Sequence, residues 1–288
     1  MEGFGNAKTV RNDNSSRFGK YVLMYFGLHE DKVFGARIKN YLLEKSRVVK
    51  VEPNERGYHI FYFLLGGLGN ETLRQLGLCK PNNGPPLTWR DFNYLKSGGE
   101  RAENAQEEMK MVLDTMNDMS FSEEEILSIW KCVAAILHFG QIDFDRGSFD
   151  DPKSPSKPGK IKNREVAETV SNLLGFENSE DLEKILLQSV NIMRGEELWN
   201  PQSYMQCVNN RDSLAKKLYD NMFNWLVNKM NGTIEPEDLN NPAFKTIGLL
   251  DIFGFENFTK NNYEQFCINY VNEKLHKLYI AAIFEAEK

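Results

Sequence analysis

Residues Val10–Phe26 read VRNDNSSRFGKYVLMYF, and the fold turns on what this stretch means. Tyr21–Phe26 is a continuous apolar run with no helical cap, the pattern of a strand. The segment GLHEDKVFG, Gly27–Gly35, then reads as a turn and a returning strand. Directly before the strand sits a polar knot. Turn chemistry accounts for its Asn and Ser residues, and a plain turn is the commoner meaning of such a stretch. It does not account for two adjacent hydroxyls, Ser15 and Ser16, followed by Arg17 and a glycine. The functional alternative is a loop whose serine hydroxyl is a ligand of Mg²⁺, a cation that takes hard oxygen donors. Its Asn and Ser side chains would then touch phosphate oxygens. Arg17 is permanently charged and needs a carboxylate. Glu256 is the obvious candidate.

Glu256 lies in a second informative stretch, KTIGLLDIFGFENF, Lys245–Phe258. This opens as a buried strand, ends at Asp251 and breaks at Gly254. In nucleotide hydrolases an Asp at a strand's C-terminal end faces the Mg²⁺ shell, and a following Gly offers its N–H to the γ-phosphate. The plainer alternative is a strand-to-loop turn with Gly present for its backbone freedom.

Helices fill most of the remainder. YHIFYFLLGGL, Tyr58–Leu68, is a short buried helix ended by glycines. Ser122–Gly140 starts with a Ser122/Glu125 capping box and stops at Gly140, with Ile126, Ile129, Trp130, Val133, Ile136 and Leu137 on its apolar face. Asn209–Gly232 carries Leu214, Leu218, Met222, Trp225, Leu226 and Met230 on one side and is expected to break at Asn231-Gly232. Asn261–Phe284 starts with Asn262 and Gln265 as a capping pair and aligns Phe266, Tyr270, Val271, Leu275, Leu278 and Ala282. Lys39–Val51 is ambiguous, with a short strand before or after Glu44–Ser46. Two loops stand out, Cys79–Leu87 and the Pro-rich Arg146–Asn163.

A net charge of −6 over 288 residues argues against a nucleic-acid-binding face, without excluding a local basic patch. The four cysteines are scattered and form no C-x-x-C, so a disulfide or metal framework is not expected, and Cys132 and Cys267 fall in apolar helical patterns that predict core positions. No run approaches the ~18 apolar residues of a membrane span. The first apolar stretch begins only at Tyr21, too late for a signal peptide. A cytosolic chain is expected.

Both opening stretches resemble myosin motor domains. NDNSSRFGK is similar to switch I of that family and DIFGFE to switch II. Further matches run in the family's order: GNAKT (Gly5–Thr9), YLLEKSRVV (Tyr41–Val49), ERGYHIFY (Glu55–Tyr62), AAILHFGQIDF (Ala134–Phe144), RDSLAKKLYDNMFNWLV (Arg211–Val227) and NNYEQFCINYVNEKL (Asn261–Leu275). The resemblance implies an α/β fold: a mostly helical part of a P-loop NTPase-type motor head, with part of its central twisted mixed sheet. It implies switch I over residues 12–20, an upper actin-binding region roughly over 57–240, switch II over 251–256 and the start of the relay helix over 262–288.

By the same resemblance, Asn12 and Ser15 lie near the phosphates of ATP, and Ser16 ligates Mg²⁺. Ser15 matches the serine implicated in relaying the attacking water's proton. Arg17 and Glu256 form the salt bridge that closes around the γ-phosphate, Gly254 donates its N–H there, and Asp251 holds the Mg²⁺ water shell. NIMRGEELWNP, Asn191–Pro201, resembles an actin-contacting loop. The family's regulatory position, sixteen residues before Asp212, is Glu196 with Glu197 beside it, so the site is permanently acidic and phosphorylation there is not expected. The implied activity is an actin-activated Mg-ATPase of the cytoplasmic cytoskeleton. Its implied partners are actin filaments, the remaining segments of the motor and light chains.

One departure is large. No G-x-x-x-x-G-K-[ST] occurs in the 288 residues, and GNAKT lacks its glycine spacing. The expectation is therefore an internal fragment, without the P-loop, converter or lever arm, that is inactive by itself. The competing reading is a non-catalytic, actin- or cytoskeleton-interacting protein built from a truncated motor; a P-loop encoded upstream of Met1 would separate the two.

Overall fold

The computed structural model describes residues 1–28, 32–101, 104–145, 159–193, 196–238, 244–259 and 261–285. Most of the Pro-rich loop, 146–158, lies outside the described residues, as do 194–195 of the actin-loop-like segment and 286–288 of the relay-like helix.

Seven strands are described: β1 (Asn6–Ala7), β2 (Ser15–Ser16), β3 (Gly19–Gly27), β4 (Val33–Tyr41), β5 (Gln188–Met193), β6 (Glu196–Pro201) and β7 (Phe244–Asp251). They form three small sheets, β1-β2, β4-β3-β7 and β5-β6, with every pairing antiparallel. The helices are α1 (Glu2–Gly5), α2 (His59–Gly67), α3 (Asn70–Gln75), α4 (Ala105–Asp118), α5 (Glu123–Phe139), α6 (Arg164–Leu174), α7 (Ser179–Leu187), α8 (Tyr204–Ile234) and α9 (Tyr263–Ile280). The ambiguous Lys39–Val51 stretch resolves into the end of β4 and a 3₁₀ turn at Lys45–Val48.

The helical body is built around α5. Its Ser122/Glu125 capping box is present and Gly140 ends it. Every residue of the expected apolar face is buried, and Val133–Leu137 are sealed completely. The helix packs against α6 and α8, while α2 packs against α4. An amphipathic helix of this kind is stable only when neighbours cover its apolar face, and here they do.

α8 starts at Tyr204 rather than Asn209, behind a Ser203/Gln206 capping box, and continues past Asn231-Gly232 to Ile234. The reason is tertiary. The buried Asn231 side chain accepts from the Ile38 N–H and donates to the Ile38 C=O, both at 2.8 Å, pinning the helix to β4. Its buried ridge is centred on Ala215, Tyr219, Met222, Phe223, Leu226 and Met230, whereas Trp225 is exposed. Cys132 and Cys267 are only half-buried; Cys207 is the cysteine inside the core.

The expected burial of Lys245–Phe258 is not met. β7 lies at the edge of its sheet, and Ile247, Leu249 and Leu250 each keep about half their surface exposed, because no described residue covers them. On α9, Phe266, Tyr270 and Leu278 of the aligned stripe are exposed, and Gln265 and Ile268 are the buried positions.

The sheet register is what assembles the site. β3 runs antiparallel to β7 with Lys20 opposite Asp251, so the loop entering β3 and the loop leaving β7 meet at one end of the sheet. β1 backs the first loop, pairing Asn6 with Ser16 and Ala7 with Ser15. Gly5 permits this approach: a Cβ there would stand 2.2 Å from the Phe18 ring.

Candidate functional site

The loop before β2 is held by its own polar side chains. Thr9 N–H donates to the Asn12 carbonyl at 2.8 Å, and the Thr9 hydroxyl accepts from Asn12 N–H at 3.2 Å. Asn12 Oδ1 accepts the Asn14 N–H at 2.9 Å, an Asx turn. Asn14 Oδ1 in turn receives Asn6 Nδ2 at 3.2 Å and lies 3.0 Å from His59 Nε2. Burial, reinforced by Arg101 and Arg56, pulls the His59 pKa down to about 3. The ring is neutral, so Nε2–H donates to Asn14 and Nδ1 accepts from Arg101 at 3.4 Å.

Arg17 is the centre of the site. Its side chain is 2% exposed. Nη1 donates to Glu256 Oε1 at 2.6 Å and Nη2 to Glu256 Oε2 at 3.4 Å, a forked contact between residues 239 positions apart. Nε donates to Glu44 Oε2 at 2.6 Å, and Nη1 lies 3.5 Å from Ser15 Oγ. The Phe253 ring lies beneath the guanidinium, 5.6 Å from its carbon. Burial disfavours the cation, but Glu44 and then Glu256 outweigh it and raise the Arg17 pKa above its ordinary value. Burial likewise acts to raise the Glu44 pKa, and Arg47 followed by Arg17 reverses that, leaving it lowered.

The network continues inward. Glu44 Oε2 also accepts Arg47 Nε at 2.7 Å, and Arg47 Nη2 reaches Glu55 at 3.0 Å. The sequence reading assigned no role to Glu44, Arg47 or Glu55. No local signal singles them out, because Lys45, Arg56 and His59 stand in the same motifs, YLLEKSRVV and ERGYHIFY, and only the fold shows which charges are buried with partners. A cavity of about 320 Å³ lies beside these residues, lined also by Phe258, Asn262 and Gln265.

On the second loop, Asp251 pairs with Lys20 at 3.1 Å and remains exposed. Gly254 stands in open space: apart from its chain neighbours, no atom of the described residues lies within 4 Å of where a Cβ would be, so a ligand can approach its backbone closely. Helix α9 grips this loop through three amides on one face, another feature missed in the sequence. Asn272 Nδ2 donates to the Phe253 carbonyl at 2.9 Å, Asn269 brackets the Glu256 N–H and C=O at 2.8 and 2.7 Å, and Gln265 donates to Glu256 Oε2 at 3.2 Å. Arg11 ties the two loops again, donating to the Asn257 carbonyl and lying over the Phe258 ring.

Arg17, Glu256 and Ser15 are thus brought together, and Ser16 and Asp251 flank them through β2 and Lys20. Glu196 and Glu197 are elsewhere, exposed on the β5–β6 hairpin, which packs on α7. Next to them, Trp199 Nε1 donates to Glu197 at 3.2 Å and the Lys184 ammonium sits 3.9 Å above the Trp199 ring. Among the described residues no group of three or more His, Cys, Asp or Glu is arranged to hold a metal ion by itself. A cation beside Ser16 and Asp251 would meet few protein oxygens and keep most of its water, which is how Mg²⁺ binds. Ser16 and Asp251 are hard oxygen donors of the kind Mg²⁺ takes, although one Asp251 oxygen is engaged by Lys20.

The family model of the myosin head (motor domain) matches residues 1–288. The chain belongs to the myosin head family. It is 40% identical to a myosin-I heavy chain of Dictyostelium discoideum, 39% to unconventional myosin-Ic of Mus musculus and 38% to myosin-2 of Saccharomyces cerevisiae. Each alignment covers all of this chain but only 12%, 26% and 17% of those proteins. This myosin head segment is therefore a small part of the length of its relatives. Among its described residues, no helix is long and apolar enough to cross a membrane.

Proposed function

We propose that these residues supply the phosphate-sensing loops of an actin-based motor that binds and hydrolyses Mg-ATP to move along actin filaments. The observation that carries this reading is the buried, forked Arg17–Glu256 bridge at the shared end of β3 and β7. A buried cation that joins two loops across a sheet end is costly to maintain and suits a contact that reports on what lies between them.

In this reading residues 12–20 are switch I and 251–256 switch II. Ser16 would hold Mg²⁺ directly, and Asp251 would hold it through a water. Mg²⁺ at this position would neutralise charge developing on the phosphates. The Asn12 amide oxygen is engaged within its own loop, so its NH₂ is the group that turns to a phosphate oxygen. Gly254 N–H donates to the γ-phosphate, and Ser15 Oγ passes on the proton of the attacking water. Closure of the Arg17–Glu256 bridge excludes bulk water and aligns these groups. The residues from Asn262 onward, held to the loop by Gln265, Asn269 and Asn272, form the relay that carries loop movement away from the site. Residues 57–240 form the upper actin-binding region, with Glu196 and Glu197 on its actin-facing hairpin. The complete motor works on the cytoplasmic actin cytoskeleton with light chains bound.

The test is charge reversal in a complete myosin head carrying these residues. Arg17→Glu and Glu256→Arg each stall ATP hydrolysis, since breaking a buried pair costs roughly 3–5 kcal/mol. The doubly exchanged variant recovers part of the rate, and only part, because the carboxylate introduced at position 17 would face that of Glu44. A double variant no faster than either single one refutes the pairing's role in hydrolysis.

A further inference from the structure

The Arg17 guanidinium has two carboxylate partners, and they are held in opposite ways. Glu44 is fixed on every side. Its N–H donates to the Arg17 carbonyl at 3.0 Å, so the two residues are joined through main chain as well as side chain. Its carbonyl accepts the hydroxyl of Tyr58 at 2.9 Å, and that fully buried ring is stacked on Tyr219 at 4.9 Å. Its carboxylate is shared with Arg47, which is itself anchored on the Arg56 carbonyl at 3.0 Å. Glu256 instead stands on the irregular loop after β7, and its other contacts come from the side-chain amides of Gln265 and Asn269.

The charges divide in the same way. The linked group holds two cations, Arg17 and Arg47, and three anions, Glu44, Glu55 and Glu256. Removing Glu256 leaves two of each. The buried guanidinium therefore keeps a carboxylate when the second loop withdraws. Without Glu44 the same withdrawal would strand an almost fully buried cation, the costly way to break such a pair. Geometry adds a second consequence. Glu44 takes the Nε edge, so both terminal amino groups remain aimed at Glu256.

We propose that Glu44 is a positioning residue for hydrolysis: the fixed partner that aims Arg17 at Glu256 and neutralises it whenever that bridge opens. The inference rests on the reading of Arg17–Glu256 as a contact that opens and closes over the phosphate.

The test uses a complete myosin head carrying these residues, with ATP binding and the hydrolysis step followed separately in single turnovers. Glu44→Gln slows hydrolysis about 10- to 100-fold, the loss expected when a reacting constellation is slightly misaligned. It leaves the rate of ATP binding within about threefold, which marks a loss confined to the chemical step. Glu44→Asp, which keeps the charge but retracts it, falls between wild type and Glu44→Gln. A Glu44→Gln head that hydrolyses at the wild-type rate overturns the proposal, as does one that loses binding and hydrolysis equally while its unfolding midpoint drops. If Glu44→Gln does not fold, Glu44→Asp decides: slowed hydrolysis supports the positioning role and an unchanged rate removes it. Glu256→Gln separates the two levels. Normal hydrolysis in that variant refutes the bridge reading itself; slow hydrolysis there beside a normal Glu44→Gln refutes the role of Glu44 alone.

Discussion

Replacing Arg17 and Glu256 singly and together in the 288-residue chain asks how the buried charge is shared. Arg17→Met removes two charge-assisted contacts, to Glu44 and Glu256, both at 2.6 Å. Each such bond is worth about 1.5–3 kcal/mol. Glu44 stays paired with Arg47, whereas Glu256 keeps only amide contacts. Part of the loss is offset because Met still packs against Phe253, so the net cost is about 3–4 kcal/mol. Glu256→Gln is milder. It leaves an acceptor for Nη1, and Arg17 remains neutralised by Glu44, for a cost of about 1–2 kcal/mol. The double variant has little left to lose at the second position, so the two effects couple by about 1 kcal/mol or more. Urea unfolding followed by far-UV circular dichroism reads this directly. With a slope of about 3 kcal/mol/M, Arg17→Met lowers the midpoint by about 1 M and Glu256→Gln by about half that or less. Equal costs for the two single variants would mean that Glu44 does not retain the guanidinium. Strict additivity in the double variant would mean that Arg17 and Glu256 do not share a bond in solution.

Three further outcomes are expected. His59 titrates at about 3 when folded, against an ordinary value of about 6.5, so the unfolded chain binds the extra proton; stability is full above about pH 6.5 and falls as the pH drops toward about 3. Burial also lowers the His138 pKa, so in unfolding curves His59→Gln removes part of the loss between about pH 6.5 and about pH 5, and His59→Gln with His138→Gln removes most of it; an unchanged slope in the double variant contradicts the assignment. Asn231→Leu leaves the Ile38 N–H and C=O unpaired and costs about 2–3 kcal/mol, seen as a lower urea midpoint, and a loss below about 0.5 kcal/mol would show that the pin carries no stability. Residues 1–288 as a purified chain, which contain no phosphate-loop lysine motif, turn over no ATP with or without filamentous actin; actin-stimulated turnover abolished by Ser16→Ala would overturn that expectation.

Local signals carried much of the architecture. The capless apolar run at Tyr21–Phe26 became β3, its return became β4, and the Ser122/Glu125 box and Gly140 bound α5 as expected. The Asn262/Gln265 box did the same for α9. These features are decided by neighbours three or four residues away, so sequence spacing is sufficient to read them. The pairing of Arg17 with Glu256 was legible for a different reason: an arginine among hydroxyls needs a carboxylate, and the resemblance of both loops to myosin switches named which one.

What the amino-acid order by itself determined is the set of elements, their caps and the two loops that carry the chemistry. The tertiary structure alone decided who covers whom and who shares charge with whom. Asn231 prolongs α8 because Ile38 of β4 lies beside it, and no local rule weighs a bond across 193 residues. The apolar residues of β7 read as core from their pattern, yet Ile247, Leu249 and Leu250 keep about half their surface exposed, because burial depends on a neighbour and not on the strand itself. Glu44, Arg47 and Glu55 look like scattered surface charges in the chain; only folding around Tyr58 and the first loop removes them from water, and it is that shared burial that makes their partners matter.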